Sequence, residues 1–131
     1  MSGAISSVSR IEIQLLINDK HVISAEFKRH FSPLTIKKII RRLPISGLIS
    51  KYNENFIYIR TDLDIGIEKP VSNFKKGNIA FSPSGNFISV FLKDTSTAQK
   101  YNMLGNITSD NLGLLLSVGA GDILTFKILN Q

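Results

Sequence analysis

The chain has 131 residues, 43% of them hydrophobic, and no Cys. That fits one domain and excludes a disulfide framework, a thiolate metal site and a Cys nucleophile. Sixteen Lys and Arg against ten Asp and Glu give a net charge of +6, which raises nucleic acid as a partner, while no apolar run approaches the ~18–20 residues of a membrane span.

Met1 to Ser9 carry no charge and lack the basic start and apolar core of an export signal. They read as a flexible tail ahead of a single domain over 10–131, with the cytoplasm as the expected location. Arg10 to Ile17 alternates polar and apolar residues as far as Leu15, the period-2 pattern of a half-buried strand. Asn18-Asp19-Lys20 is a turn, and His21 to Phe27 is the returning strand of a hairpin.

Ser32-Pro33 opens a helix, with Ser as cap and Pro at the first helical position. Ile36, Ile39, Ile40 and Leu43 follow at helical spacing. Lys37, Lys38, Arg41 and Arg42 fill the complementary positions, and Pro44 ends the helix. Seven of the ten basic residues in the first sixty lie between Lys28 and Lys51, whereas residues 61–131 carry six charges of each sign. The excess charge is therefore local to this helix and its flanks.

Ile45 to Lys51 is ambiguous between strand and irregular structure, and Asn53-Glu54-Asn55 is a turn. Phe56 to Arg60 is a strand of aromatic and β-branched residues. Asp62 to Glu68 alternates and reads as another strand, and Pro70 to Lys76 as a loop. A strand from Gly77 to Ser82, a turn over Pro83-Ser84-Gly85-Asn86 and a strand from Phe87 to Leu92 come next. Lys93 to Tyr101 is polar and reads as a surface loop. Asn102 to Ile107 is a strand whose central Gly105 marks a bulge or a close backbone approach. Asp110 is placed to cap a short helix through Leu115. Gly119 to Gly121 is a turn, and Asp122 to Leu129 is the last strand. About eight short strands and one amphipathic helix favour a sandwich or barrel over βαβ units.

The order of features from Gly77 onward is more specific. A strand Gly77-Asn78-Ile79-Ala80-Phe81 leads into Ser82-Pro83-Ser84-Gly85. The strand Phe87 to Leu92 and Lys93-Asp94-Thr95 follow, then Asn102-Met103-Leu104-Gly105-Asn106-Ile107, a short helix and a last strand. This resembles the cyclophilin-like superfamily, in particular its small prokaryotic single-domain members of undefined function. The resemblance covers most of the chain from Arg10. It implies a mainly β fold, a closed antiparallel barrel of about eight strands with the amphipathic helix over an open end. In that branch the motif reads Gly-Asp, an aromatic pair and Pro-Pro-Gly; here Asn78, Ser82 and Ser84 stand at three of those positions.

True cyclophilins are prolyl isomerases that set an Arg, within a Phe-His-Arg strand, beside a hydrophobic proline pocket. The matching strand here reads Phe56-Ile57-Tyr58-Ile59. Tyr58 stands near the Arg position, Arg60 lies two residues on and shares its strand face, and the Gln-Gly-Gly segment that normally follows is absent. The resemblance thus implies a binding module without the isomerase Arg, holding a peptide or small molecule in an apolar groove. Tyr58, Arg60, Phe81 and Phe91 are its candidate ligand contacts, within an aromatic set that also includes Phe56 and Phe87. The alternatives are a prolyl isomerase and a nucleic-acid accessory protein using Lys37, Lys38, Arg41 and Arg42.

No cofactor, metal or membrane partner is expected. His21 and His30 lack a second ligand at metal spacing. Asp62, Asp64 and Glu68 form an acidic cluster on what reads as a solvated edge strand, and Ser82 and Ser89 have no His partner for a triad.

Overall fold

The structure, a computed structural model, describes residues 9–129. The tail expected over 1–9 lies outside the described residues apart from Ser9. β1 (Arg10–Ile17) and β2 (His21–Lys28) form the expected hairpin. Asn18 and Asp19 both sit at positive φ, 52° and 59°. A tight hairpin turn matching the strand twist requires that conformation, and short polar side chains tolerate it. Then follow α1 (Pro33–Arg42), β3 (Ile45–Leu48), β4 (Ser50–Tyr52) and β5 (Phe56–Arg60). The rest of the chain forms β6 (Val71–Phe74), β7 (Asn78–Ser82), β8 (Phe87–Phe91), β9 (Thr95–Ile107), a 3-10 helix (Leu112–Leu116) and β10 (Ile123–Ile128).

The ten strands form one antiparallel sheet in the order β3-β10-β1-β2-β9-β7-β8-β5-β4, with β6 laddered onto β9 off this path. The two end strands are separated in sequence by Ile49 alone, so the sheet must curl until its ends meet. Gly47 allows the approach of β3 to β5: a Cβ there would stand 3.1 Å from the Ile59 Cβ. No hydrogen-bonded ladder joins β3 to β5, so the fold is mainly β as expected, a curled ten-stranded antiparallel sheet that hydrogen bonds do not close into a barrel.

Four stretches depart from the sequence reading. Residues 61–68 form no ladder, although Leu63 and Ile65 are buried. Alternation there reports burial of one face, and an extended strap beside the helix satisfies it as well as a strand does. Conversely, β6 and the first half of β9 are strands where loops were expected. Their ladder lies outside the main sheet, with Ser96, Ala98, Gln99 and Lys100 in solvent, so no apolar periodicity marks it. The short second helix is a 3-10 turn preceded by Asn111, without the expected Asp110 cap.

One core fills the inside of the curl. Ile13, Leu15, Phe27, Ile57, Phe81 and Phe126 are all at or below 1% exposure within it, and α1 adds Ile36 and Ile39. Gly105 lies where β2 and β9 cross most closely, 1.8 Å being left between the carbonyl O of Glu26 and the place a Cβ would occupy. The β7–β9 register slips beside it, Ile79 facing Gly105 and Ala80 facing Met103, which is the expected bulge.

The helix start is held differently from the sequence reading. Ser32 makes no side-chain cap bond, and its buried Oγ has no partner among the described residues. The cap comes from the strap. Glu68 accepts hydrogen bonds from the backbone N–H of Leu34 (3.0 Å), from that of Thr35 (2.8 Å) and from the Thr35 hydroxyl (2.8 Å). Asn102 ties the group together, donating to Thr35 Oγ1 and the Gly66 carbonyl and accepting from the Glu68 N–H. Desolvation pushes the Glu68 carboxyl upward, but the three hydrogen bonds and Lys69 outweigh it and hold it below its ordinary value. A carboxylate with a depressed folded-state pKa stabilises the fold above its unfolded pKa, and that stability disappears as pH falls through the folded value. Glu68→Gln is therefore expected to lose about 1 kcal/mol at pH 7. Its deficit against the parent should shrink as pH is lowered through the acid range below the ordinary carboxylate value, read by urea unfolding at several pH values. A constant deficit would show that the charge of Glu68 does not matter.

Candidate functional site

A second cluster lies on the outer face of β5, β8, β7 and β9. Strand alternation builds it. On β5, Ile57 and Ile59 point inward, so Phe56 and Tyr58 point out. On β8, Ile88 and Val90 point inward and Phe87 and Phe91 outward. Register sets Phe56 opposite Phe91 and Tyr58 opposite Ser89. β6 brings Phe74 flat onto Phe91, the rings 4.3 Å apart and 7° from parallel. Tyr101 meets Phe56 and Phe87 edge-on, each at 88°. Such stacked and edge-to-face pairs each add about 0.5–1.5 kcal/mol beyond area burial.

Above this floor lies a groove of about 350 Å³, lined by Tyr52, Asn55, Phe56, Tyr58, Phe87, Tyr101 and the segment Thr95–Gln99. The segment forms a wall because β9 bulges away from β6: Asn73 faces Ser96, yet Val71 faces Tyr101. All three tyrosines of the chain line this groove. Burial raises the pKa of the Tyr101 hydroxyl, and Tyr52 and Tyr58 raise it further.

Of the four candidate ligand contacts, Tyr58 lines the groove. Arg60 is exposed beside it, its guanidinium carbon 5.8 Å from the Tyr58 ring centre. Phe91 is fully buried beneath the floor, 5.0 Å from Phe56. Phe81 is placed elsewhere: it pairs with Ile88 and points into the main core at 0% exposure. Phe56 and Phe87 of the wider aromatic set do line the groove. Tyr52, Tyr101 and the underlying Phe74 were missed by sequence reasoning, because their segments showed no clear strand pattern.

The other candidates do not converge. Lys37, Lys38, Arg41 and Arg42 are exposed on α1, and Arg42 bonds Asp62 at 2.8 Å. The strap runs along the helix from this pair to the Glu68 cap, so the acidic cluster is laid beside the basic face and partly offsets it. Asp62 and Glu68 hold opposite ends of the helix. Ser82 Oγ accepts from the Gly85 N–H at 3.1 Å and shapes the turn. Ser89 Oγ donates to the Ala80 carbonyl. Among the described residues no group of three His, Cys, Asp or Glu is placed to hold a metal, and no helix is long and apolar enough to cross a membrane.

Comparison with known proteins agrees with this fold. The profile of the Cyclophilin-like family matches residues 10–127. The solution structure of the hypothetical protein AF2241 from Archaeoglobus fulgidus superposes with a TM-score of 0.74 at 18% identity, covering 91% of this chain and 95% of that one. McbB, solved in complex with tryptophan, superposes with the same TM-score at 9% identity, covering 91% of this chain and 45% of McbB. No curated protein matches. At these identities the solved structures speak for the fold alone.

Proposed function

The chain belongs to the cyclophilin-like family, and from that premise we propose that it is a binding module that holds a peptide or small molecule in the groove over Phe56, Tyr58, Phe87 and Tyr101. The observation that carries this reading is the groove itself. Half-buried Tyr58 and Phe87 and exposed Tyr52 stand around the nearly buried rings of Phe56 and Tyr101, with a few polar groups at the edge, the usual make-up of a small-ligand site. By the family resemblance Tyr58 stands near the position of the isomerase Arg, and a phenol supplies no permanent positive charge to a twisting prolyl amide. Arg60 is the one feature that favours the isomerase alternative, since its guanidinium lies beside Tyr58.

Two measurements on the full chain test the proposal. A fragment screen followed by amide NMR is expected to move the resonances of Asn55, Tyr58, Phe87 and Tyr101 together, and Tyr58→Ala should weaken the best fragment about tenfold. Exchange spectroscopy on a capped Ala-Pro peptide is expected to show no acceleration. Isomerisation that is catalysed and then lost in Tyr58→Ala or Arg60→Ala would replace the binding-module reading with the isomerase.

A further inference from the structure

The chain carries sixteen basic and ten acidic side chains, yet none of them lines the groove. The hydroxyls of its β9 wall are already engaged: Thr95 donates to the Lys93 carbonyl, Ser96 to Asn73 Oδ1 and Thr97 to the Gln99 carbonyl. What remains is neutral: three tyrosine hydroxyls and the side-chain amides of Asn55 and Gln99, without hydrogen-bond partners among the described residues.

An ionised group entering such a site gives up water and meets no counter-charge in the lining, which is costly unless paired, and exposed, hydrated Arg60 beside Tyr58 is worth little to an anion. A cation over the aromatic faces would be the exception, but Arg60 already stands over the Tyr58 ring, 5.8 Å from its centre, and repels one. A flat uncharged ring suffers none of these costs. Its faces rest on Phe56, Tyr58 and Phe87, and a polar edge meets the phenols and amides. The groove's 350 Å³ lies at the small end of small-molecule sites, which run from about 300 to 1,000 Å³.

Resting on the binding reading above, we infer that the groove selects a free, uncharged, flat aromatic small molecule with a hydrogen-bonding edge, and discriminates against its ionised analogues. The test is an amide NMR titration of the full chain with three probes that share one ring: indole, tryptamine (a cation) and indole-3-acetate (an anion). A fourth probe is the capped peptide acetyl-Ala-Trp-Ala-amide. Indole is expected to bind about tenfold tighter than either ionised probe, a difference of about 1.4 kcal/mol. Tyr101→Phe, which keeps the ring and removes one hydroxyl, should weaken indole about threefold to tenfold, equivalent to about one hydrogen bond. An ionised probe that moves the same resonances with equal or greater affinity overturns the inference and leaves the groove reading standing. A capped peptide that binds tenfold tighter than indole overturns the choice of a free small molecule. No movement at the groove with any probe removes the groove reading and this inference together.

Discussion

Gly105→Ala is expected to destabilise the protein by more than about 4 kcal/mol, among the largest effects a single methyl can have. The added Cβ would lie 1.8 Å from the Glu26 carbonyl O and 2.8 Å from the Phe27 Cα. Both are backbone atoms, so no rotamer change relieves the clash and truncating the Glu26 side chain does not help. β2 and β9 pair only over Ala25–Phe27 and Gly105–Ile107, so separating the strands there breaks the whole ladder between them. Total stabilities of small domains are about 5–15 kcal/mol, and Gly105→Ala should therefore show a fallen urea midpoint or no cooperative transition. Gly113→Ala is the control: no atom lies within 4 Å of its added Cβ, and its melting curve should match the parent within about 0.5 kcal/mol. A Gly105→Ala protein as stable as the parent would mean that β2 and β9 do not approach as closely as described.

Phe91→Ala is expected to cost about 3–5 kcal/mol, the range for removing a fully buried ring. Phe91 is 0% exposed between Phe74 and Phe56, and a rigid sheet beneath the cluster leaves little room for collapse. The substitution also removes the support of the groove, so any fragment bound there should be lost at concentrations where the protein is still folded. Phe81 gives the contrast. It is equally buried but on the other face. Phe81→Leu should therefore lower stability without moving the resonances of Tyr58, Phe87 and Tyr101, whereas Phe91→Leu should move them. If both leucine variants perturb the groove alike, the separation into two clusters is wrong.

The contrast between these two phenylalanines also shows where sequence reasoning fails. They lie ten residues apart, an even spacing that in one continuous strand would put them on one face. The four-residue turn Pro83–Asn86 sets Ser82 opposite Phe87 and Phe81 opposite Ile88, so odd positions on β7 share a face with even positions on β8. Loop length thus carried the information, but only once the register was known. The hairpin of β1 and β2, the helix and the strands Phe56–Arg60 and Phe87–Phe91 were legible because local periodicity and turn residues agree there with the tertiary pairing. β6, the polar half of β9 and the unpaired strap were not, since a ladder over an outer cluster leaves no alternation and a buried strap imitates one.

Composition and pattern alone determined that this is a mainly β, cysteine-free chain with one basic amphipathic helix, and the family resemblance followed from the order of its strands and turns. The strands, turns and helix behind that reading are local elements, each written in a run of about a dozen residues or fewer. The groove is not. Tyr52, Tyr58, Phe87 and Tyr101 come from four separate strands or strand ends, and the cap of α1 comes from Glu68 some thirty residues beyond it. Neither is encoded by spacing along the chain, because both arise from register and from the curl that brings distant segments side by side. The helix charge that dominated the composition is likewise reinterpreted by that curl, which lays Asp62 against Arg42 and leaves the uncharged aromatic groove as the candidate functional site.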